Sequence, residues 1–131
     1  MYSPPWWLRN GHLQSIYPSI LRKLDDTFPL RERIETPDDD FIDLDWCRQG
    51  NKRLLVLTHG LEGHSRRPYV IGMSMAAIAA GWDTLAWNFR SCGSETNRQL
   101  TTYHSGQTKD LEMVIQYGLE HGYEELALVG F

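Results

Sequence analysis

Two glycine-bearing segments have the residue types and the positions that acyl-transfer chemistry requires. The first is the loop His59-Gly60-Leu61-Glu62-Gly63, which directly follows an apolar run. Acyl transfer passes through a tetrahedral oxyanion, and each preorganised N–H that binds it contributes about 3–4 kcal/mol. Gly60 would let the backbone aim the Leu61 N–H at such an oxyanion. The sequence predicts the Leu61 N–H as an oxyanion donor, with His59 and Gly60 supporting the loop; alone, the segment is equally typical of an ordinary turn.

The second segment is Gly130-Phe131, which follows the apolar run Leu126-Ala127-Leu128-Val129. In the pattern G-x-S-x-G, a nucleophilic serine lies on a sharp turn between a strand and a helix. Gly130 and Phe131 fit the first two positions, because the strained turn tolerates no side chain at the glycine. We therefore predict that a nucleophile elbow starts here, with the nucleophile directly after Phe131.

The residues between these segments predict alternating strands and helices. Leu54–Thr58 is a short apolar run, typical of a strand buried on both faces of a parallel sheet. The later elements are a helix between Ser65 and Gly81 with Pro68 in its first turn, a strand at 83–89, a helix at 108–121 and a strand at 126–129. This order favours right-handed crossovers and parallel pairing.

Upstream, residues 31–36 and 41–48 flank a Pro37-Asp38-Asp39-Asp40 turn and predict an antiparallel hairpin, since polar and apolar residues alternate with a period of two. The three aspartates lack the ligand ladder and closing glutamate of an EF-hand loop, so we expect a solvated turn. The predicted fold class is α/β, with a mixed, mainly parallel sheet and flanking helices.

Residues 1–30 form an aromatic- and proline-rich segment before the main domain at 31–131. Trp, Tyr and Arg suit a membrane interface, so peripheral membrane contact is one interpretation. We favour packing of this segment on the domain, because Pro4, Pro5 and Pro18 prevent a long amphipathic helix. The sequence predicts neither a signal peptide nor a transmembrane segment.

Composition excludes several classes of function. The net charge of −4 and the absence of a basic stripe argue against nucleic-acid binding. Cys47 and Cys92 have no metal-type or redox-type spacing, so we expect a reduced, cytoplasmic protein. His59, Glu62 and His64 could be imagined around zinc, but they lie in a loop without helical spacing, and we expect no metal or cofactor. Cys92 lacks an elbow and a partner base, which argues against a nucleophilic role.

Motifs over nearly the whole chain resemble the YheT-like branch of the α/β-hydrolase superfamily, which includes bacterial esterases and mammalian abhydrolase-domain lipases. The matching segments are Trp7 to Ile16, Thr36-Pro37-Asp38, Phe41 to Trp46, His59 to Gly63, Asn88-Phe89-Arg90, Tyr103 to Gly106 and Asp110-Leu111. Two departures are Asp39, where a glycine is usual, and Ser91, where Arg-Gly is common. Aspartate tolerates the left-handed region, so the hairpin should survive.

The resemblance implies a serine carboxylic-ester hydrolase acting on small-molecule or lipid esters. It implies that the serine, acid and histidine lie beyond Phe131, so this chain is the N-terminal half, truncated after the fifth strand and inactive alone. It also implies that Arg90, Tyr103 and His104 brace the loop after Phe89. The alternative is a non-catalytic half-domain that self-associates through the unpaired edge of the 126–129 strand.

Overall fold

The predicted alternation of strands and helices is present in the computed structural model, which describes residues 3–17, 21, 23–101, 103–104 and 106–131. In chain order the elements of this part are a 3-10 helix (Trp6–Leu8), α1 (Gly11–Ile16), β1 (Leu30–Thr36), β2 (Asp40–Cys47), β3 (Arg53–Thr58), α2 (Pro68–Ala79), β4 (Asp83–Trp87), α3 (Thr108–Glu120) and β5 (Glu125–Gly130). The expectations for Pro18 and for Ser105 lie outside the described residues.

The described strands form one mixed sheet in the order β1-β2-β4-β3-β5. β2 pairs antiparallel with both β1 and β4, whereas β3 pairs parallel with both β4 and β5. The predicted hairpin and the predicted parallel crossovers are therefore both confirmed. The fold class is α/β with a mixed sheet, as expected.

The central strand β3 is buried on both faces, which explains its unbroken apolar run. Leu55 and Leu57 pack against Val70 and Ala77 of α2. Leu54 and Val56 face the opposite cluster, which contains Val114 of α3. One helix on each face of the sheet is the arrangement that right-handed crossovers produce.

α2 begins and ends at residue types that suit the ends of a helix. Pro68 is the first residue of α2, where its missing N–H costs no hydrogen bond. Gly81 follows the end of α2 with a φ of 77°, a left-handed conformation that favours glycine. α2 therefore turns back towards β4 within a few residues.

The last residues of the N-terminal segment contact the domain. Leu24 and Phe28 pack into the cluster on the α2 face of the sheet. Trp6 and Leu21, in contrast, are 81% and 64% exposed. Packing of the whole 1–30 segment on the domain stays a prediction.

β2 is buried along its whole length although its sequence alternates polar and apolar residues. Asp43 accepts two hydrogen bonds from Arg33, at 2.7 and 3.2 Å, and Asp45 accepts two from Arg31, at 3.0 and 2.6 Å. The polar face is therefore covered by guanidinium groups rather than by water, since a buried carboxylate must be paired.

The expectation of a solvated turn at residues 38–40 is wrong for Asp40, which is fully buried, and holds for exposed Asp39. Arg90 is the reason, because its guanidinium lies buried between three carboxylates. It donates to Asp38 at 2.6 Å, to Asp40 at 3.1 Å and to Asp110 at 2.8 and 2.9 Å. Arg90 thus joins the β1–β2 turn to the first turn of α3 and braces the loop after Phe89.

Both positions that depart from the family pattern have left-handed backbone. Asp39 has a φ of 59° and Ser91 a φ of 64°. The left-handed region costs a residue with a Cβ free energy, and aspartate tolerates it better than serine does.

We predict that Ser91→Gly stabilises the protein by about 0.5–1 kcal/mol, because relief of the left-handed strain exceeds the entropy that glycine adds to the unfolded chain. The free energy of unfolding in urea measures the gain. Ser94→Gly is the matched control in the same loop, since Ser94 has no positive φ; it should give no gain. Equal effects of the two substitutions would contradict the strain argument.

We predict that Asp38→Asn lowers stability at neutral pH and that the loss disappears in acid. The Arg90 hydrogen bonds lower the pKa of Asp38 from 3.8 to about 2. A carboxyl with a lowered pKa contributes stability above its unfolded pKa and loses it as the pH falls through the folded one. The difference in unfolding midpoint between wild type and variant should therefore shrink as the pH falls from 3.8 to about 2. Asp39→Asn, at the exposed neighbouring position that makes no bond to Arg90, is the matched control for the substitution itself.

Candidate active site

The two segments singled out by their chemistry leave the sheet at the same edge. Thr58, the last residue of β3, lies opposite Gly130 in the register of β5. The Phe131 N–H donates to the Thr58 carbonyl at 3.3 Å. A Cβ at Gly60 would lie 3.3 Å from the Phe131 carbonyl oxygen, so the two backbones approach closely. The structure therefore places the start of the 59–64 loop beside Phe131.

His59 is buried at the base of this loop, with 2% of its surface exposed. Its Nε2 accepts the Phe89 N–H at 3.2 Å, so the ring proton is on Nδ1 and is donated to the Gly60 carbonyl at 2.8 Å. Burial lowers the pKa of His59, which keeps the ring neutral. Because backbone groups occupy both nitrogens, the ring orients the loop and has no nitrogen available for proton transfer.

The amides of the 59–64 loop differ in whether they have acceptors. The Gly60 N–H donates to the Tyr69 hydroxyl at 3.0 Å, and the Glu62 N–H donates to the Tyr103 hydroxyl at 2.6 Å. The Gly63 N–H donates to the Gly60 carbonyl at 2.9 Å. Within the described residues the Leu61 N–H has no acceptor. The loop thus leaves this amide available to a ligand.

The tight path of the loop requires glycine at position 63. A Cβ there would lie 2.5 Å from the Tyr69 hydroxyl oxygen and 2.9 Å from the Gly60 carbonyl oxygen. Glu62 has a φ of 52°, so the chain turns through a left-handed residue just before this glycine. The turn lets the Leu61 side chain protrude, with 88% of its surface exposed.

Aromatic rings hold the side of the loop that faces β4. Phe89 packs edge-on against His59, with centroids 5.0 Å apart, and stacks on Tyr103 at 5.1 Å and 22°. The predicted strand at 83–89 ends early, at Trp87, because the Phe89 N–H donates to His59 instead of to a neighbouring strand. The loop after β4 is therefore part of the candidate site.

Tyr69 has a role that sequence reasoning missed. It follows Pro68 in the first turn of α2, and its ring contacts Phe131 with centroids 4.8 Å apart. The only sequence feature that points to this role is that Tyr69 lies close in the chain to His59–His64. No periodicity or motif indicates that its hydroxyl reaches back to Gly60.

Other candidate groups have ordinary structural partners. His64 Nδ1 accepts the Arg66 N–H at 3.2 Å. Among the residues that the structure describes, no group of three or more histidine, cysteine, aspartate or glutamate residues is arranged to hold a metal ion. Burial raises the pKa of the Cys92 thiol, which disfavours the nucleophilic thiolate.

A groove of about 1070 Å³ lies elsewhere, between β1 and α3. Its walls include Ile34 of β1 and Met113 and Tyr117 of α3, but no residue of the 59–64 loop and not Phe131. The groove is therefore separate from the candidate active site. No described helix has the length and apolar character needed to cross a membrane.

No family profile matches the chain. Its sequence is 38% identical over 127 residues to the protein named Putative esterase YheT of Escherichia coli (strain K12), covering 93% of this chain and 37% of that protein. It is 26% identical over 125 residues to the human protein named Phospholipase ABHD3, covering 88% of this chain and 31% of the relative. The chain thus spans about a third of the length of these relatives.

The fold is also that of solved hydrolases. A Pyrococcus furiosus esterase superposes with a TM-score of 0.69 at 16% identity, over 84% of this chain and 45% of the esterase. A serine hydrolase homologue from Coxiella burnetii superposes with a TM-score of 0.63 at 20% identity, over 82% and 54% of the two chains. At such identities the likeness establishes the fold, while the sequence relatives identify the branch. The chain belongs to the YheT-like branch of the α/β-hydrolase superfamily.

Proposed function

We propose that this chain supplies the oxyanion-binding side of a serine carboxylic-ester hydrolase. The Leu61 N–H is one oxyanion donor, and Gly130-Phe131 begins the nucleophile elbow. The observation that carries the proposal is the unpartnered Leu61 amide, in a loop whose base lies against Phe131. Relatives named as an esterase and a phospholipase support ester hydrolysis as the reaction.

In the proposed mechanism a serine after Phe131 attacks the ester carbonyl while a histidine base takes its proton. The C–O double bond opens to an oxyanion, which the Leu61 N–H binds. The oxyanion then collapses to an acyl-enzyme and expels the alcohol, which receives the proton from the histidine. Water releases the carboxylic acid by the same steps. His59 holds the loop throughout and stays neutral.

The proposed substrates are small-molecule or lipid esters. The exposed Leu61 side chain places an apolar group beside the donor amide, which favours an apolar acyl chain. We further propose a cytoplasmic location, supported by two cysteines that are both unpaired. Peripheral membrane contact through the exposed Trp6 and Leu21 is a subsidiary proposal.

We predict that Leu61→Pro lowers kcat on p-nitrophenyl butyrate by about 10²–10³-fold, because proline has no N–H and so removes this oxyanion donor. Leu61→Ala is the matched control, since it keeps the amide and trims an exposed side chain; its kcat should stay within a few fold of wild type. The assay uses the polypeptide encoded by the complete reading frame, in which Ser-x-Gly-Gly is expected after Phe131.

Two results would contradict the proposal. One is a Leu61→Pro variant that folds and keeps wild-type kcat. The other is turnover by the 131-residue chain alone that survives Cys92→Ala, because the proposed nucleophile follows Phe131. Far-UV circular dichroism of each variant separates loss of chemistry from loss of fold.

The second candidate is a non-catalytic half-domain that self-associates through β5. It is favoured by the position of β5 at the edge of the described sheet and by Leu128, which is 51% exposed. An unpaired apolar edge strand is a template for pairing with another chain.

This candidate predicts that the 131-residue chain is dimeric or larger in solution, as measured by light scattering after size exclusion. Leu128→Lys, which places a charge on the edge strand, should shift the mass towards the monomer. A monodisperse monomer of the wild-type chain would count against self-association.

A further inference from the structure

The two tyrosine hydroxyls in the candidate active site bind the amides on either side of Leu61. Tyr69 accepts the N–H of Gly60, and Tyr103 accepts the N–H of Glu62. We infer that Tyr69 and Tyr103 are positioning residues that leave the Leu61 N–H as the donor of the 59–64 loop. This inference rests on the proposed function, because it assigns a task to residues that support that donor.

Gly60 and Gly63 have more backbone conformations open to them than other residues do, so this loop could adopt other shapes. Each peptide unit is a rigid plane, so a loop changes shape by rotating whole planes about the Cα atoms. Rotation of the plane that contains the Gly60 N–H, or of the one that contains the Glu62 N–H, would swing a carbonyl towards the site. Each tyrosine hydroxyl accepts a hydrogen bond from the N–H of one of these planes and so restrains its rotation.

The tyrosines approach from different elements, and packing holds both rings. The Tyr69 ring comes from α2 and contacts Phe131 with centroids 4.8 Å apart. The Tyr103 ring comes from the loop before α3 and stacks on Phe89 at 5.1 Å. Because the rings are fixed independently of their hydroxyls, removing a hydroxyl leaves most of the packing in place.

The arrangement also links the loop to the proposed elbow. Tyr69 contacts both Gly60, through its hydroxyl, and Phe131, through its ring. A shift of about 1 Å between donor and nucleophile can cost about 10²-fold in rate. Tyr69 therefore fixes the distance between the two halves of the proposed site, while Tyr103 fixes the orientation of the loop.

The test compares Tyr69→Phe and Tyr103→Phe with Tyr117→Phe, in the polypeptide of the complete reading frame. Tyr117 is the matched control because it lies in α3 and donates to Glu32 at 2.7 Å, away from the loop. Both loop variants should lower kcat on p-nitrophenyl butyrate about tenfold with KM within about twofold, as expected for an interaction that acts in the transition state. Tyr117→Phe should leave kcat unchanged.

Amide hydrogen exchange, measured by NMR, tests the positioning without any need for activity. Tyr69→Phe should speed exchange of the Gly60 amide about fivefold to tenfold, and Tyr103→Phe should do the same for the Glu62 amide, each leaving the other amide unaffected. Tyr117→Phe should alter neither. A merely structural role would instead raise exchange throughout the domain.

The two measurements separate the inference from the function on which it rests. Unchanged exchange at Gly60 and Glu62 overturns the positioning role, even in an active enzyme. Local exchange effects with unchanged kcat in an active enzyme also overturn it. Local exchange effects in a protein with no esterase turnover support the pinning of the loop and overturn ester hydrolysis as its purpose.

Discussion

The geometry of the candidate site depends on one peptide plane, the plane that joins Gly60 to Leu61. Its carbonyl oxygen accepts two hydrogen bonds, from His59 Nδ1 at 2.8 Å and from the Gly63 N–H at 2.9 Å. Because the carbonyl and the N–H of a trans peptide point in opposite directions, anchoring one orients the other. The orientation of the Leu61 N–H is therefore set by the two bonds to the Gly60 carbonyl at the other side of the same peptide plane.

The rest of the structure holds the partners of this plane. His59 is placed by Phe89, which belongs to the loop braced by Arg90 and its carboxylates. Buried ion pairs of this kind add little net stability over well-packed apolar groups, but losing one partner is costly because a charge is left unpaired. Here the Arg90 bonds tie the loop after Phe89 to the β1–β2 turn and to α3. The polar hairpin and the glycine loop are thus connected through a chain of directional bonds.

Much of the fold follows from the sequence by elementary rules. The apolar run of β3, Pro68 at the start of α2 and the glycine after α2 each predict their element, because burial and capping act locally. The burial of Asp40 and Asp45 does not follow, since their arginine partners come from distant positions in the chain. The role of the Tyr69 hydroxyl does not follow from the sequence for a similar reason. The Gly60 N–H that it binds lies across a turn, and the path of that turn depends on Gly63. The sequence therefore predicts that the 59–64 loop and Phe131 leave the same edge of the sheet, but it does not predict the side chains that bond to the loop.

His59 is neutral and both of its ring nitrogens are hydrogen-bonded, which affects the stability of the protein in acid. A proton on Nε2 would face the Phe89 N–H, so the folded protein resists protonation while the unfolded chain accepts it near its ordinary pKa. As the pH falls below that ordinary value, proton binding pulls the equilibrium towards the unfolded chain. Mild acid thus lowers the stability of the fold that holds this loop, because His59 takes up its proton more readily in the unfolded chain.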